Sequence, residues 1–156
     1  MKTIQCICGK SIQIDDENLA VLDKYRWSCL GFKTTIRTKL NSRSGVVSLN
    51  ITDLILNPPP GFIADHKDRD IHNCLTSNLR LATKQQNNCN CGIRKDNTSG
   101  FKGVHYRNDN GQWRAKISVN GKRILLGQYP TAEEAARAYN AAATLYHGEF
   151  AYINPI

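Results

Sequence analysis

Hydrophobic and polar residues alternate in short runs through residues 1 to 90, and this pattern predicts mainly strands. "TIQCICG" and "SIQI" read as two short strands, and "DDENLAVLDKY" as a short helix with acids capping its start. "FKTTIRTKL" and "GVVSLNI" alternate or carry β-branched residues, with "NSRSG" as the turn between them. "NITDLIL" offers one more helical turn before "NPPPG" ends it. "GFIA" is then a strand running to Asp65-His66, "KDRDIHNCLTS" a polar loop, and "NLRLA" a strand with Leu79 and Leu81 inward against Asn78 and Arg80. Thr83 and Gln86 have capping-box spacing, so "TKQQNN" opens a helix.

The last third of the chain has a firmer pattern. "FKGVHYR", "QWRAKISV" and "KRILLGQY" predict three strands joined by "NDNG" and by Asn120-Gly121, a hairpin turn. In the middle strand Trp113, Ala115, Ile117 and Val119 share one face, which is the expected core, and Arg114, Lys116 and Ser118 share the other. After Pro130, Thr131 and Glu134 form a second capping box, and "AEEAARAYNAAATLYH" is an alanine-rich helix that Gly148 ends. The expected class is α+β. The expected order is a mixed N-terminal part (1–60), a strand-loop-strand-helix motif (61–90), a polar linker (91–98), and three antiparallel strands packed on one helix (99–156).

Charge adds direction. The chain of 156 residues carries a net charge of +8, which favours a polyanionic partner. Lys33, Arg37, Lys39 and Arg43 are possible phosphate contacts on the N-terminal part, against the plainer reading of a solvated basic face. No apolar run reaches the ~20 residues of a membrane span, and the N-terminus lacks an apolar signal core, so a cytoplasmic protein with no membrane partner is expected. Its six cysteines are then expected to be reduced. Cys6/Cys8 and Cys89/Cys91 are spaced too tightly for ordinary zinc pairs, so zinc is not expected. Cys29 and Cys74 read as small apolar side chains, and His72 as loop filler. His147 at a helix end reads as a favourable C-terminal charge or cap.

The chemistry concentrates around Asp65-His66. A carboxylate suits a hard cation, and a histidine can act as a base near neutral pH. Asn78 follows His66 by twelve residues and Asn87 by twenty-one, the latter on the helix after the second strand. "DH", "NLRLAT" and "QNN" resemble the HNH endonucleases with a ββα-metal site, especially the phage and bacterial homing type. The resemblance implies that His66 is the general base, and that Asp65 and Asn87 hold one Mg²⁺ or Mn²⁺ ion. Asn78 would be the central asparagine that orients the histidine and pins the loop. The chain departs from the family pattern in the loop after His66, which usually contains glycine and here has Arg69, at Asn73-Cys74, where Asp-Asn is usual, and at Asn50, where relatives often carry histidine.

"GVHYR", "GQWRAKI" and "KRILLGQYPTAEEAARAYNAAATLYHGEFAYIN" are similar to the plant ethylene-response-factor (Apetala-two) DNA-binding domain. This resemblance implies contacts to double-stranded DNA from Lys102, His105, Arg107, Lys116, Ser118, Arg123 and Leu125, with Arg114 and Lys122 on phosphates. Together the two resemblances imply a monomeric, site-directed homing nuclease that nicks DNA. The alternative is a DNA-binding regulator with an inactive HNH segment, and a third reading is a structural zinc protein that binds nucleic acid.

Overall fold

The computed structural model describes residues 1–29, 36–42 and 45–156. The proposed phosphate contacts Lys33 and Arg43, and part of the strand expected over "FKTTIRTKL", lie outside the described residues. Contacts divide the chain into two compact units, Met1–Lys84 and Gln85–Ile156. The division falls inside the 61–90 segment that the sequence groups as one motif.

In the first unit the chain forms antiparallel two-stranded ribbons. β1 (Lys2–Gln5) pairs with β2 (Ser11–Ile14), β3 (Arg37–Ser42) with β4 (Gly45–Asn50), and β5 (Ile63–His66) with β6 (Leu79–Ala82). Helices α1 (Leu19–Leu22) and α2 (Ile51–Leu56) are short. The alternation of β1 and β2 buries Ile4, Ile12 and Ile14, which join Leu22, Trp27, Ile36, Ile51 and Cys74 in one core. Trp27 donates its indole N–H to the Leu22 carbonyl at 2.8 Å, so even this large ring is fully satisfied inside. Cys74 belongs to this core although it lies in the polar loop after β5. The loop reaches the core because β2 holds it: Gln13 N–H donates to the His72 carbonyl at 2.8 Å, and Cys74 N–H donates to the Gln13 carbonyl at 2.9 Å.

Two sequence expectations change here. Asp15 was expected to cap the first helix, but its carboxylate makes no cap bond and instead accepts the Thr76 N–H at 2.7 Å. The Thr76 side chain, and then this backbone bond, hold its carboxyl below the usual range. Leu81 was expected inward with Leu79, yet it is exposed while Leu79 is buried. A two-stranded ribbon has no third strand to extend its covered face, so only the Leu79 end meets the core.

The second unit contains α3 (Lys84–Asn90) from Gln85 onward, the sheet β7 (Val104–Arg107), β8 (Gln112–Val119), β9 (Lys122–Tyr129), and α4 (Ala132–His147). The strand order is β7-β8-β9, all antiparallel, with a register shift between Ala115 and Lys116. Glu134 N–H donates to Thr131 Oγ1 at 3.2 Å, so the cap at the start of α4 forms. Ala135, Ala136, Ala142 and Ala143 are buried, and their small side chains bring α4 close to the sheet. Val104, Ala115 and Ile117 meet them from the sheet side, with Trp113 half-buried on the same face. Tyr139 comes so close that a Cβ on Gly103 would lie 2.2 Å from its ring. Gly103 has φ +79, so only glycine meets both demands. The C-terminal segment is tied back by Asn154 and Asn140, which exchange two side chain–backbone bonds at 2.8 and 2.9 Å.

Candidate active site and nucleic-acid interface

Asp65 and His66 end β5, and alternation sends their side chains to opposite faces of the ribbon. Both are buried, at 4% and 8% exposure. Asp65 sits directly opposite Arg80 in the β5–β6 register. Arg80 donates to Asp65 Oδ2 from both Nε and Nη2, each at 2.9 Å. The structure thus engages Arg80 with the Asp65 carboxylate. The pair is buried on both sides, so removing either partner would leave an uncompensated charge. Asp65 still has lone pairs beyond those Arg80 uses, so its carboxylate remains a hard-oxygen donor of the kind that suits Mg²⁺ or Mn²⁺.

His66 is shaped by its surroundings. Burial lowers its pKa, and Asp68, Asp65 and Asp70 pull the other way without cancelling the shift. The imidazole is therefore neutral at pH 7, the form a general base needs. Cys74 Sγ lies 3.7 Å from His66 Nε2. Sequence spacing gave no reason to place a cysteine there. Burial pushes the Cys74 thiol up to about 12, so it remains a protonated thiol and is not an activated nucleophile.

The loop between β5 and β6 is organised by Asp68, a residue that the sequence reading passed over. Its carboxylate accepts from Asp70 N–H at 2.8 Å, from Asn73 Nδ2 at 2.7 Å and from Asn78 Nδ2 at 2.8 Å. Burial pushes Asp68 up, but these bonds and His66 outweigh it and hold the carboxyl below its usual range. The available signal was "DRD", since aspartates in turns bind backbone two residues on. Asn78 also donates to the Asn73 carbonyl at 2.8 Å and accepts from Asp68 N–H at 3.2 Å. These bonds fasten the loop across its neck. Asn87 lies on α3 and its carbonyl accepts the Cys91 N–H. Asn50 bonds through Nδ2 to Asp53.

Arg69 has φ +69, the left-handed conformation that glycine prefers, in the loop where the family pattern usually has glycine. The turn is thus kept and the side chain carries its strain. Arg69→Gly is expected to stabilise the first unit by about 0.5–1 kcal/mol, raising its thermal midpoint by about 3–6 °C. A lower midpoint in calorimetry would show that contacts of the arginine outweigh the backbone term.

On the second unit, the sheet face opposite α4 carries His105, Arg114, Lys116, Ser118, Arg123 and Leu125. The register sets His105 against Arg114, Lys116 against Leu125, and Ser118 against Arg123. His105, Ser118, Arg123 and Leu125 are exposed, as is Lys122 at the turn. Arg114 Nε is buried with no hydrogen-bond partner. Residues of this face, with Gln85, Cys89, Arg94 and His147, line a cleft of about 800 Å³. Two of the sequence-assigned contacts are otherwise engaged. Lys102 Nζ donates to the Cys89 and Cys91 carbonyls at 2.7 and 2.5 Å and lies over the Tyr152 ring, so it caps the end of α3. Arg107 pairs with Asp109 in the turn after β7. His147 Nε2 meets the Ser118 carbonyl at 3.0 Å, tying the end of α4 to β8.

The cysteines also rearrange the picture. Cys6/Cys8 and Cys89/Cys91 belong to different units. Cys29 instead joins the first pair: its Sγ is 3.4 Å from that of Cys6 and 2.7 Å from that of Cys8. Hydrogen bonds from Cys29 and Cys6, then from the Lys10 backbone, lower the Cys8 thiol, and the nearby His72 side chain adds to this. The expectation that zinc is absent rested on spacing within the two pairs. Nothing in that spacing points to a cysteine twenty-one residues after Cys8.

Residues 57–89 match the family model "HNH endonuclease", and residues 99–149 match "AP2 domain". An uncharacterized HNH endonuclease, L560, of Acanthamoeba polyphaga mimivirus is 40% identical over 98 residues, 63% of this chain and 50% of the relative. Protein 3.8 of Escherichia phage T7 is 34% identical over 93 residues, 60% of this chain and 76% of the relative. Ethylene-responsive transcription factor ERN3 of Medicago truncatula is 52% identical over 54 residues, 33% of this chain and 22% of the relative. The chain thus spans half the length of the mimivirus protein and a smaller part of the plant one.

Proposed function

Because the chain belongs to the HNH endonuclease family and carries an AP2 domain, we propose that it is a site-directed, homing-type DNA endonuclease that nicks double-stranded DNA as a monomer. The observation that carries this is the end of β5, where a neutral, buried His66 and the carboxylate of Asp65 occupy consecutive strand positions on opposite faces, next to a loop fixed by Asp68 and Asn78. His66 takes a proton from water, and the resulting hydroxide attacks phosphorus as the 3′ oxygen leaves. Asp65 and Asn87 would hold a Mg²⁺ or Mn²⁺ ion, which when bound neutralises charge on the phosphate oxygens. Asn78 and Asp68 keep the loop, and with it His66, in place. The basic face of the β7–β9 sheet supplies affinity and address.

The ion pair between Asp65 and Arg80 favours a second reading, a DNA-binding regulator whose HNH segment no longer takes up metal. Supercoiled plasmid separates the two. The endonuclease converts it to nicked circles only when Mg²⁺ or Mn²⁺ is added, and the addition of chelator stops the reaction. Binding without metal-dependent nicking, on a library of candidate sites, would establish the regulator instead.

A further inference from the structure

We propose that Cys6, Cys8, Cys29 and His72 form a structural zinc site that fastens the loop after β5 to the N-terminal strands. This site uses soft donors, where the Asp65 carboxylate offers hard oxygens.

The three sulfurs lie within 4.8 Å of one another. A tetrahedral zinc ion with Zn–S of about 2.3 Å spaces its sulfurs about 3.8 Å apart, so three thiolates and one ion fit this cluster with small side-chain turns. Chain geometry gathers them. Cys6 bridges to Trp27, and Ile7 N–H donates to the Trp27 carbonyl at 2.8 Å, which brings Cys29 alongside. Gly9 turns the chain sharply after Cys8 with φ +86, and Gly9 N–H returns to the Cys6 carbonyl at 2.9 Å. The Lys10 backbone N–H bonds to the Cys8 sulfur, as a thiolate ligand's supporting shell requires.

His72 supplies the fourth donor. Its side chain stands beside Cys8, and its Nε2 is buried with no hydrogen-bond partner. A buried ring nitrogen left unsatisfied calls for an explanation, and a metal bond is one. Its other nitrogen, Nδ1, faces the Asp70 carboxylate at 3.4 Å. Metal-bound histidines usually direct the second ring nitrogen at a carboxylate in this way. His72 stands outside 4.8 Å of at least one sulfur, so it closes on the ion by turning its ring. The Gln13–His72 backbone bond already holds its backbone against β2.

The consequence is mechanical. His72 is two residues from Cys74, the neighbour of His66, so the ion would clamp the loop that packs against the proposed base.

The experiment uses the full chain purified without added chelator. Elemental analysis is expected to give about one zinc per chain that survives dialysis against Mg²⁺. Replacement by cobalt is expected to give intense visible bands of a tetrahedral site and thiolate-to-metal charge transfer in the near ultraviolet, features that an oxygen-ligated octahedral ion lacks. His72→Ala should shift the cobalt bands and weaken metal binding by about 10- to 100-fold, and His72→Cys should restore tetrahedral binding. Zinc-free protein, or a Cys8–Cys29 disulfide found in the intact mass, would overturn the site. Cobalt bands unchanged in His72→Ala would overturn the assignment of the fourth ligand. The wild-type spectrum reads the thiolates without any variant, so a misfolded substitution does not block the test. Failure of the nicking assay would leave this result untouched, because neither readout depends on activity.

Discussion

His66→Ala is expected to slow metal-dependent DNA cleavage by about 10²–10⁴-fold, the range that a positioned general base supplies. DNA binding should not change, because the sheet of the second unit is intact. The pH profile sharpens the expectation. Burial lowers the His66 pKa below its ordinary 6.5, so the base is available throughout the neutral range. Cleavage by the native protein should rise with pH through a midpoint below 6.5 and then level off, and the residual rate of His66→Ala should lack that step. Stability follows the same group. The unfolded chain protonates His66 more readily than the folded one, so its contribution is present above pH 6.5 and is lost as pH falls through the folded pKa. The alanine variant should lose less stability on acidification than the native protein does. A variant that cleaves at the native rate would remove His66 from the mechanism, whatever its stability.

The same residue shows how far sequence alone reaches. Asp65-His66 at a strand end could be picked out because the strand signal around them is local, while the roles proposed for Asn78 and Asn87 come from the resemblance to HNH endonucleases. The three strands and helix of the second unit could be read for the same reason: the Asn120-Gly121 turn, the Thr131 cap and the alanine helix each depend on neighbours a few residues away. What stayed hidden depends on contacts distant in sequence. Asp15 binds Thr76, sixty-one residues on, and no capping rule shows that. Arg80 reaches Asp65 only once the β5–β6 register is fixed. Cys29 meets Cys6 and Cys8 through the bridge to Trp27, and Cys74 reaches the core because β2 grips its loop. Lys102 shows a different limit: its position in the strand pattern suggested DNA, while the nearby carbonyls at the end of α3 already hold it.

Those two engaged cations narrow the choice of which charges read DNA, and lead to the second large effect. With Lys102 capping α3 and Arg107 paired with Asp109, the face of the sheet rests on Arg114, Lys116 and Arg123. Arg114 has a buried Nε without an acceptor, a donor that a phosphate or base would satisfy. Replacing all three by alanine is expected to weaken DNA binding by about 10²-fold or more at moderate salt. If all three neutralise phosphates, the slope of log affinity against log salt should flatten by about 2.7, at roughly 0.9 per phosphate. If one of them reads a base edge, the slope changes less, and discrimination between sites falls by about 1–3 kcal/mol at one position. Lys102→Ala separates a structural cation from a reading one, because it should lower the melting midpoint of the second unit and leave the salt slope nearly unchanged. Affinity and slope both unchanged in the triple variant would move the DNA interface off this sheet. At saturating protein and low salt the triple variant should still nick if, as proposed, the chemistry resides with His66 and the sheet contributes the address.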